Sequence, residues 1–176
     1  MARCLIIGCG CRGRSLAGEL VARGHAVRGT TRHADGLAAI EAVGAEALVA
    51  DPDRVATLSP ALDQVTVACV LLGSAVGSPA GLAALHGTRL DMLLTRMVDT
   101  TVRGVVYETG GTVVPDVLAA GAALVRARCE DSRIPYALLD ADPGQPEAWV
   151  ASALAAVQLA LDGGTAGHDK LENKNR

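Results

Sequence analysis

The sequence predicts an α/β domain whose six parallel strands form one doubly wound sheet in the order 3-2-1-4-5-6. Three observations predict this fold. Short apolar runs alternate with helical patterns along most of the 176 residues, as in strand–helix–strand units with right-handed crossovers. The run at residues 65–72 is predominantly apolar, which is typical of a strand buried on both faces. A glycine-rich turn separates the first strand from the first helix, as it does in sheets of this order.

The strands and helices of the first half are delimited by glycine. The expected strands cover residues 4–7, 26–30, 47–50 and 65–72. Between the first three strands, apolar residues recur at helical spacing in two segments, which end at Gly24 and Gly44. Glycine commonly follows the last turn of a helix, so both glycines indicate helix ends.

The second half continues the alternation. A helix is expected from Ser78 and Pro79, an N-cap followed by proline, to about Thr100, with Gly87 as a candidate break. The remaining strands are predicted at 104–107 and 135–139, and the remaining helices at 115–129 and 146–161. The last helix is apolar over a broad arc, which hints at a homodimer.

Composition excludes several classes of function. The net charge of −3, the lack of Phe and the presence of only one Trp and two Tyr give no reason to expect a nucleic-acid partner. No apolar run approaches the roughly 18 residues that span a bilayer, so no membrane partner is expected. An odd number of cysteines, five, fits a reducing compartment, and we expect a cytoplasmic protein. Residues 1–162 should form one domain without a separate substrate domain, and residues 163–176 a flexible tail.

The turn after the first strand reads Gly8-Cys9-Gly10-Cys11-Arg12-Gly13, a GxGxxG pattern between a strand and a helix. In such turns the first glycine permits a tight turn, the second lets the backbone approach a pyrophosphate, and the third allows close helix packing. The free N–H groups of the helix N-terminus face the phosphates. Residues 8–13 therefore predict dinucleotide binding; the alternative is a glycine-rich turn that binds nothing.

The end of the second strand favours NADP(H), with NAD as the less favoured cofactor. NAD-binding domains usually place an acidic residue there to bind the ribose 2′-hydroxyl. This sequence instead has Thr31 and Arg32, a hydroxyl and a guanidinium suited to a 2′-phosphate. Arg12 could reach the same phosphate from the loop. The alternative is that both arginines are solvated surface charges.

These segments resemble the atypical and extended short-chain dehydrogenase/reductase superfamily, especially its NmrA-like, NAD(P)H-binding Rossmann members. Segments 8–13, 30–32, 50–53 and 85–110 carry the resemblance, although that family more often has GxxGxxG. The resemblance implies that Asp51 lies near the adenine and that Leu72 and Gly73 lie along the cofactor. It also implies that Thr109 faces the nicotinamide. For Asp51 the alternative is a turn residue before Pro52.

The sequence departs from that superfamily at the catalytic residues. Its reductases commonly use Tyr-x-x-x-Lys, in which lysine lowers the pKa of the tyrosine. Here the only lysines are Lys170 and Lys174, so this dyad is absent. His86 is the remaining acid–base candidate beside Thr109, with a solvated histidine as the alternative. The resemblance also implies a substrate region after the sixth strand, where this sequence has one helix and a tail.

Cys9 and Cys11 flank Gly10 and raise a question of redox or metal chemistry. Two thiols make an incomplete zinc site, and no metal is expected. The helix N-terminus could lower a thiol pKa and make either residue sensitive to oxidation. The alternative is that cysteine serves as a small residue in a crowded loop.

Two functions follow from these features. The first is an NADP(H)-binding protein that is not an enzyme, a dinucleotide binder or redox sensor acting through a protein partner. The second is an NADPH-dependent oxidoreductase, reductase- or epimerase-like, acting on a small carbonyl or quinone substrate.

Overall fold

A computed structural model describes residues 1–165. Six strands lie at β1 (Arg3–Ile7), β2 (Ala26–Thr31), β3 (Glu46–Val49), β4 (Val67–Val70), β5 (Gly104–Glu108) and β6 (Tyr136–Leu139). The α-helices are α1 (Cys11–Ala22), α2 (Leu37–Glu41), α3 (Pro79–Ala84), α4 (Leu90–Val98), α5 (Pro115–Ser132) and α6 (Pro146–Leu161). The expected flexible tail falls mainly on residues 166–176, which lie outside the described residues.

All six strands are parallel and form one sheet in the order β3-β2-β1-β4-β5-β6, which confirms the predicted fold class. The chain reverses its direction of winding between β1 and β4, where Cys4 lies opposite Val67 and Ile7 opposite Val70. In such sheets the carboxyl ends of the two central strands diverge into separate loops and open a crevice between them. The fold therefore places such a crevice beside residues 8–13.

Each face of the sheet carries its own apolar core, because β1, β4 and β5 are buried on both sides. Helices α1 and α6 cover one face, where Leu16, Leu20 and Trp149 are buried. The other face is covered by α4, α5 and the turns that follow β3. The apolar arc of α6 thus packs largely within this chain, and a homodimer stays a prediction.

The segment from Pro79 to Val98 differs from the expectation of a break at Gly87. Residues Leu85–Arg89 form a π-helical turn that joins α3 to α4 directly. Such a turn widens the helix by one residue and re-aims the side chains on either side of it. Gly87 is therefore accommodated within a continuous helical segment, and His86 is turned into the core.

Arg28 is a buried charge that the sequence did not predict. It lies on β2, and its guanidinium donates to both carboxylate oxygens of Glu46 and to the carbonyl oxygens of Ala61 and Asp63, at 2.8–3.2 Å. A buried charge is tolerated only when it is paired and hydrogen-bonded. Arg28 thus ties the β3 edge of the sheet to the turns before β4. Within residues 1–165 no helix is both long and apolar enough to cross a bilayer.

Candidate functional site

The glycine loop has the geometry that its spacing predicts. Gly8 has φ +82°, and a Cβ there would lie 2.6 Å from the carbonyl oxygen of Leu71, so only glycine fits. A Cβ at Gly13 would lie 3.1 Å from the Gly8 carbonyl oxygen, whereas a Cβ at Gly10 would meet nothing within 4 Å. Gly10 is the N-cap of α1, and the N–H groups of the first helical turn have no acceptor within the helix. The loop thus offers free backbone donors beside open space.

A cavity of about 400 Å³ adjoins this loop. All of residues 8–14 line it, together with residues 30–32 at the carboxyl end of β2 and Ala50, Pro52 and Asp53 after β3. On the other side of β1 the lining consists of residues 71, 72, 74 and 75 after β4, then Leu85, Glu108 and Trp149. The cavity thus lies at the carboxyl ends of the central strands, where ligands bind in open α/β sheets.

Thr31, the last residue of β2, and Arg32, which follows it, both line the cavity. Arg32 is exposed, and within residues 1–165 its guanidinium makes neither an ion pair nor a hydrogen bond. The hydroxyl of Thr31 donates to the carbonyl oxygen of His33 at 3.2 Å, which shapes the turn. A free guanidinium at a cavity edge can bind an anion in bidentate fashion.

Asp51 behaves as a turn residue in this structure. Its carboxylate accepts from the N–H of Asp53 at 3.0 Å, and the residue does not line the cavity. This geometry favours the turn alternative for Asp51. Asp53 lines the cavity instead, and its carboxylate forms an ion pair with Arg89 at 3.0 Å.

A buried ion pair lies at the other end of the cavity. Glu108, the last residue of β5, is fully buried, and its carboxylate accepts from the Arg12 guanidinium and from the Trp149 indole N–H, both at 3.1 Å. Arg12 also donates to the hydroxyl of Ser74 at 3.0 Å, and its guanidinium carbon lies 5.4 Å from the centre of the Trp149 ring. We call these four residues the Glu108 cluster. The sequence predicts that Arg12 could reach the same 2′-phosphate as Arg32. In the structure the Arg12 side chain instead lies on the opposite side, against Ser74 and Glu108.

The loops after β4 and β5 pack against each other next to this cluster. The N–H of Gly73 donates to the second Glu108 carboxylate oxygen at 2.8 Å. A Cβ at Gly73 would overlap the carbonyl oxygen of Gly110, and one at Gly111 would overlap the carbonyl oxygen of Gly73. The N–H of Val113 donates to the Gly73 carbonyl oxygen at 3.0 Å. Leu72 lines the cavity, but Gly73 does not.

Both predicted catalytic residues have side chains engaged away from the cavity. The Thr109 hydroxyl donates to the Leu139 carbonyl oxygen at 3.1 Å, beside β6. His86 is 2% exposed, and its Nδ1 lies 2.7 Å from the Tyr107 hydroxyl, with which it shares a hydrogen bond. Burial lowers the pKa of His86 and raises that of Tyr107. The alternative of a solvated His86 is wrong, because the π turn directs the ring into the core. Catalytic roles for both residues stay predictions.

The two loop cysteines occupy different environments. Cys9 is buried, and a Cβ at Gly29 would lie 2.8 Å from its sulfur. Burial raises the pKa of Cys9 to about 11, opposite to the lowering that a reactive thiol needs, so Cys9 fills space in a crowded loop. Cys11 is exposed, with its sulfur 3.3 Å from the Arg14 guanidinium. In the described part of the chain no group of three His, Cys, Asp or Glu side chains could hold a metal ion.

The sequence does not predict the Glu108 cluster, because no pattern in it links Glu108 to Arg12 or to Trp149. A weak signal was present, since a charged residue ending an apolar strand needs a partner if that end is buried. The partner, Arg12, lies 96 positions away, and no local pattern links the two.

Comparisons with known proteins agree with this geometry at the level of the fold. No protein-family profile matches the sequence, and no curated protein matches it. A short-chain dehydrogenase from Rhodopseudomonas palustris is similar in structure, with a TM-score of 0.67 and 15% identity over 89% of this chain and 92% of that one.

Two further structures hold NAD. UDP-glucuronic acid 4-epimerase from Bacillus cereus has a TM-score of 0.64 and 14% identity over 77% of this chain and 55% of its own. A short-chain dehydrogenase/reductase superfamily protein from Agrobacterium tumefaciens has a TM-score of 0.63 and 20% identity over 77% and 48%. The chain spans about half the length of these two proteins. These likenesses show that the described chain has the fold of the NAD(P)-binding Rossmann proteins that include short-chain dehydrogenases and epimerases.

Proposed function

We propose that this protein binds NADP(H) in the cavity beside the glycine loop and does not itself catalyse hydride transfer. The single observation that carries the proposal is the combination of the open backbone at Gly10 with the unpaired Arg32 guanidinium on the same cavity. The first suits a pyrophosphate and the second a 2′-phosphate. Three arginines, Arg12, Arg14 and Arg32, line this cavity against two carboxylates, which gives a lining suited to an anion.

The chemistry of the cavity supports binding more than catalysis. A bound nicotinamide cofactor supplies or accepts a hydride, and an enzyme must move a proton beside it. The Thr109 hydroxyl donates to backbone and His86 is buried against Tyr107. The Tyr-x-x-x-Lys dyad is missing from the sequence. A binder or sensor needs none of these groups, and the glycine loop with its free backbone donors supports binding.

The test compares NADPH with NADH by thermal shift and calorimetry, using the wild type and Arg32→Ala. At about 100 times its Kd, a ligand adds about 2.7 kcal/mol of stability, so binding is readily detected. Arg32→Ala should weaken NADPH by about 1.5–3 kcal/mol, the range for hydrogen bonds to charged groups, and leave NADH unchanged. Arg54→Ala, an exposed arginine off the cavity, is the matched control. Equal losses for both cofactors would refute the 2′-phosphate assignment.

The second candidate is an NADPH-dependent oxidoreductase acting on a small carbonyl or quinone substrate. One observation favours it: Glu108 and Ser74 both line the cavity, so a carboxylate and a hydroxyl are present at its edge. The expected signal is steady NADPH consumption with aldehydes, ketones or quinones that Glu108→Gln abolishes. Tight NADPH binding without turnover across the panel would support the non-catalytic function instead.

A further inference from the structure

We propose that the cavity recognises only the phosphoadenosine half of the dinucleotide, so that its ligand class is an adenosine nucleotide with 2′- and 5′-phosphates. This inference rests on the proposed function, because it assigns the nucleotide to the same cavity. A protein with such a site is a nucleotide binder and not a redox sensor, because a site that does not enclose the nicotinamide cannot distinguish NADP⁺ from NADPH.

The position of each half follows from the sheet order. In a doubly wound sheet a dinucleotide crosses the switch point, here between β1 and β4, with its pyrophosphate on the glycine loop. The adenosine ribose then lies near the end of β2, where Arg32 is located. The other half has to extend over the carboxyl ends of β4 and β5.

The β1–β3 side of the cavity is open to such a ligand. A Cβ at Gly10 would meet no atom within 4 Å. Arg32 has no partner within residues 1–165, and Asp53 and Pro52 continue the lining beyond it. The side chains and backbone donors on this side suit an adenosine and its phosphates.

On the β4–β5 side the cavity ends at the Glu108 cluster, whose members Arg12, Ser74, Glu108 and Trp149 form its wall. The Arg12 side chain starts in the glycine loop and crosses to Glu108 at the end of β5, resting on the Trp149 ring. Glu108 has three donors, from Arg12, Trp149 and the Gly73 N–H. Separating Arg12 from Glu108 would leave a fully buried carboxylate without its cation, which is strongly unfavourable.

A second, independent contact limits the cavity on the same side. The backbone of Gly73 packs directly on that of Gly110 and Gly111, with the Val113 N–H bonded to the Gly73 carbonyl. No residue between positions 109 and 148 lines the cavity. The loops after β5 and β6, which would have to surround a nicotinamide, therefore do not contribute to it.

The experiment measures Kd by calorimetry for 2′,5′-ADP, NADP⁺, NADPH and nicotinamide mononucleotide with the wild-type protein. We expect the first three values to agree within about threefold, less than 1 kcal/mol, and the mononucleotide to give no heat of binding. Arg32→Ala should weaken all three ligands by the same factor, because each carries the 2′-phosphate. Saturation-transfer NMR with NADP⁺ should show strong transfer to the adenine protons and weak transfer to the nicotinamide protons.

The outcomes separate this inference from the proposed function. If NADP⁺ or NADPH binds about tenfold or more tightly than 2′,5′-ADP, the nicotinamide half is recognised and the inference is overturned, while dinucleotide binding stands. If 2′,5′-ADP binds and the dinucleotides do not, the ligand class of a 2′,5′-phosphorylated adenosine stands, but the proposed function, dinucleotide binding, fails. If none of the four binds, both fail.

Discussion

Replacing Arg12 with methionine isolates the contribution of the buried ion pair to stability. Methionine keeps much of the side-chain length over Trp149 but removes the cation that faces Glu108. Removing one partner of a fully buried pair costs about 3–5 kcal/mol. The Arg12 side chain is 29% exposed, and two neutral donors remain on the carboxylate, so a value of about 2–3 kcal/mol is expected. Against a total stability of about 5–15 kcal/mol, this loss is large.

Urea unfolding gives the measurement, with the m-value checked for constancy between variants. The double variant Arg12→Met/Glu108→Gln provides the control, since the glutamine is neutral and still offers an oxygen to one of the remaining donors. It should be more stable than Arg12→Met alone, because the uncompensated charge has gone. An Arg12→Met protein within about 0.5 kcal/mol of the wild type, the range of an ordinary surface substitution, would refute the reasoning.

Three further predictions follow from groups around the cavity. Gly10→Val should abolish NADPH binding in calorimetry while costing only about 1 kcal/mol at the N-cap, whereas Gly8→Val should also unfold the protein in urea because of φ +82° and the Leu71 carbonyl. Cys11 should be the one thiol that reacts with a maleimide in the native state, since the other four are buried; NADPH should slow this labelling, and labelling at full rate in its presence would count against the site. Burial holds the pKa of His86 below 6.5 in the folded state, so the unfolded chain binds the proton more readily. The unfolding free energy should therefore fall as the pH drops below 6.5 toward that folded pKa. His86→Gln should reduce this slope and His33→Gln, at an exposed position, should not.

The sequence predicted the sheet order because each strand is a separate local signal and the connection rules leave few arrangements. The strand ends in the structure differ from the predicted ends by one or a few residues. For example, β4 covers Val67–Val70, within the predicted range 65–72. The π turn at Leu85–Arg89 could not be predicted from spacing. The buried His86 also has contacts from distant parts of the chain: its ring bonds the Tyr107 hydroxyl, and a Cβ at Gly121 of α5 would overlap that hydroxyl.

The glycine loop could be predicted as a site because its requirements are local, namely a positive φ at Gly8 and space at Gly10. The direction of a long side chain, in contrast, is not determined by its neighbours in the sequence. Arg12 could have faced Arg32 or Glu108, and the choice depends on a carboxylate and an indole contributed by β5 and α6. For the same reason the sequence could propose Thr109 for chemistry but not predict that Leu139 accepts its hydrogen bond.

The backbone contact between Gly73 and Gly110–Gly111 limits which substitutions this sequence can accept. Neither loop can acquire a side chain at the contact unless the other moves away, so substitutions at these positions are coupled. In an alignment of homologues the glycines should be retained or replaced together. Where both are replaced, the two loops have to lie further apart, which widens the crevice over β4 and β5 without any substitution in residues 8–13.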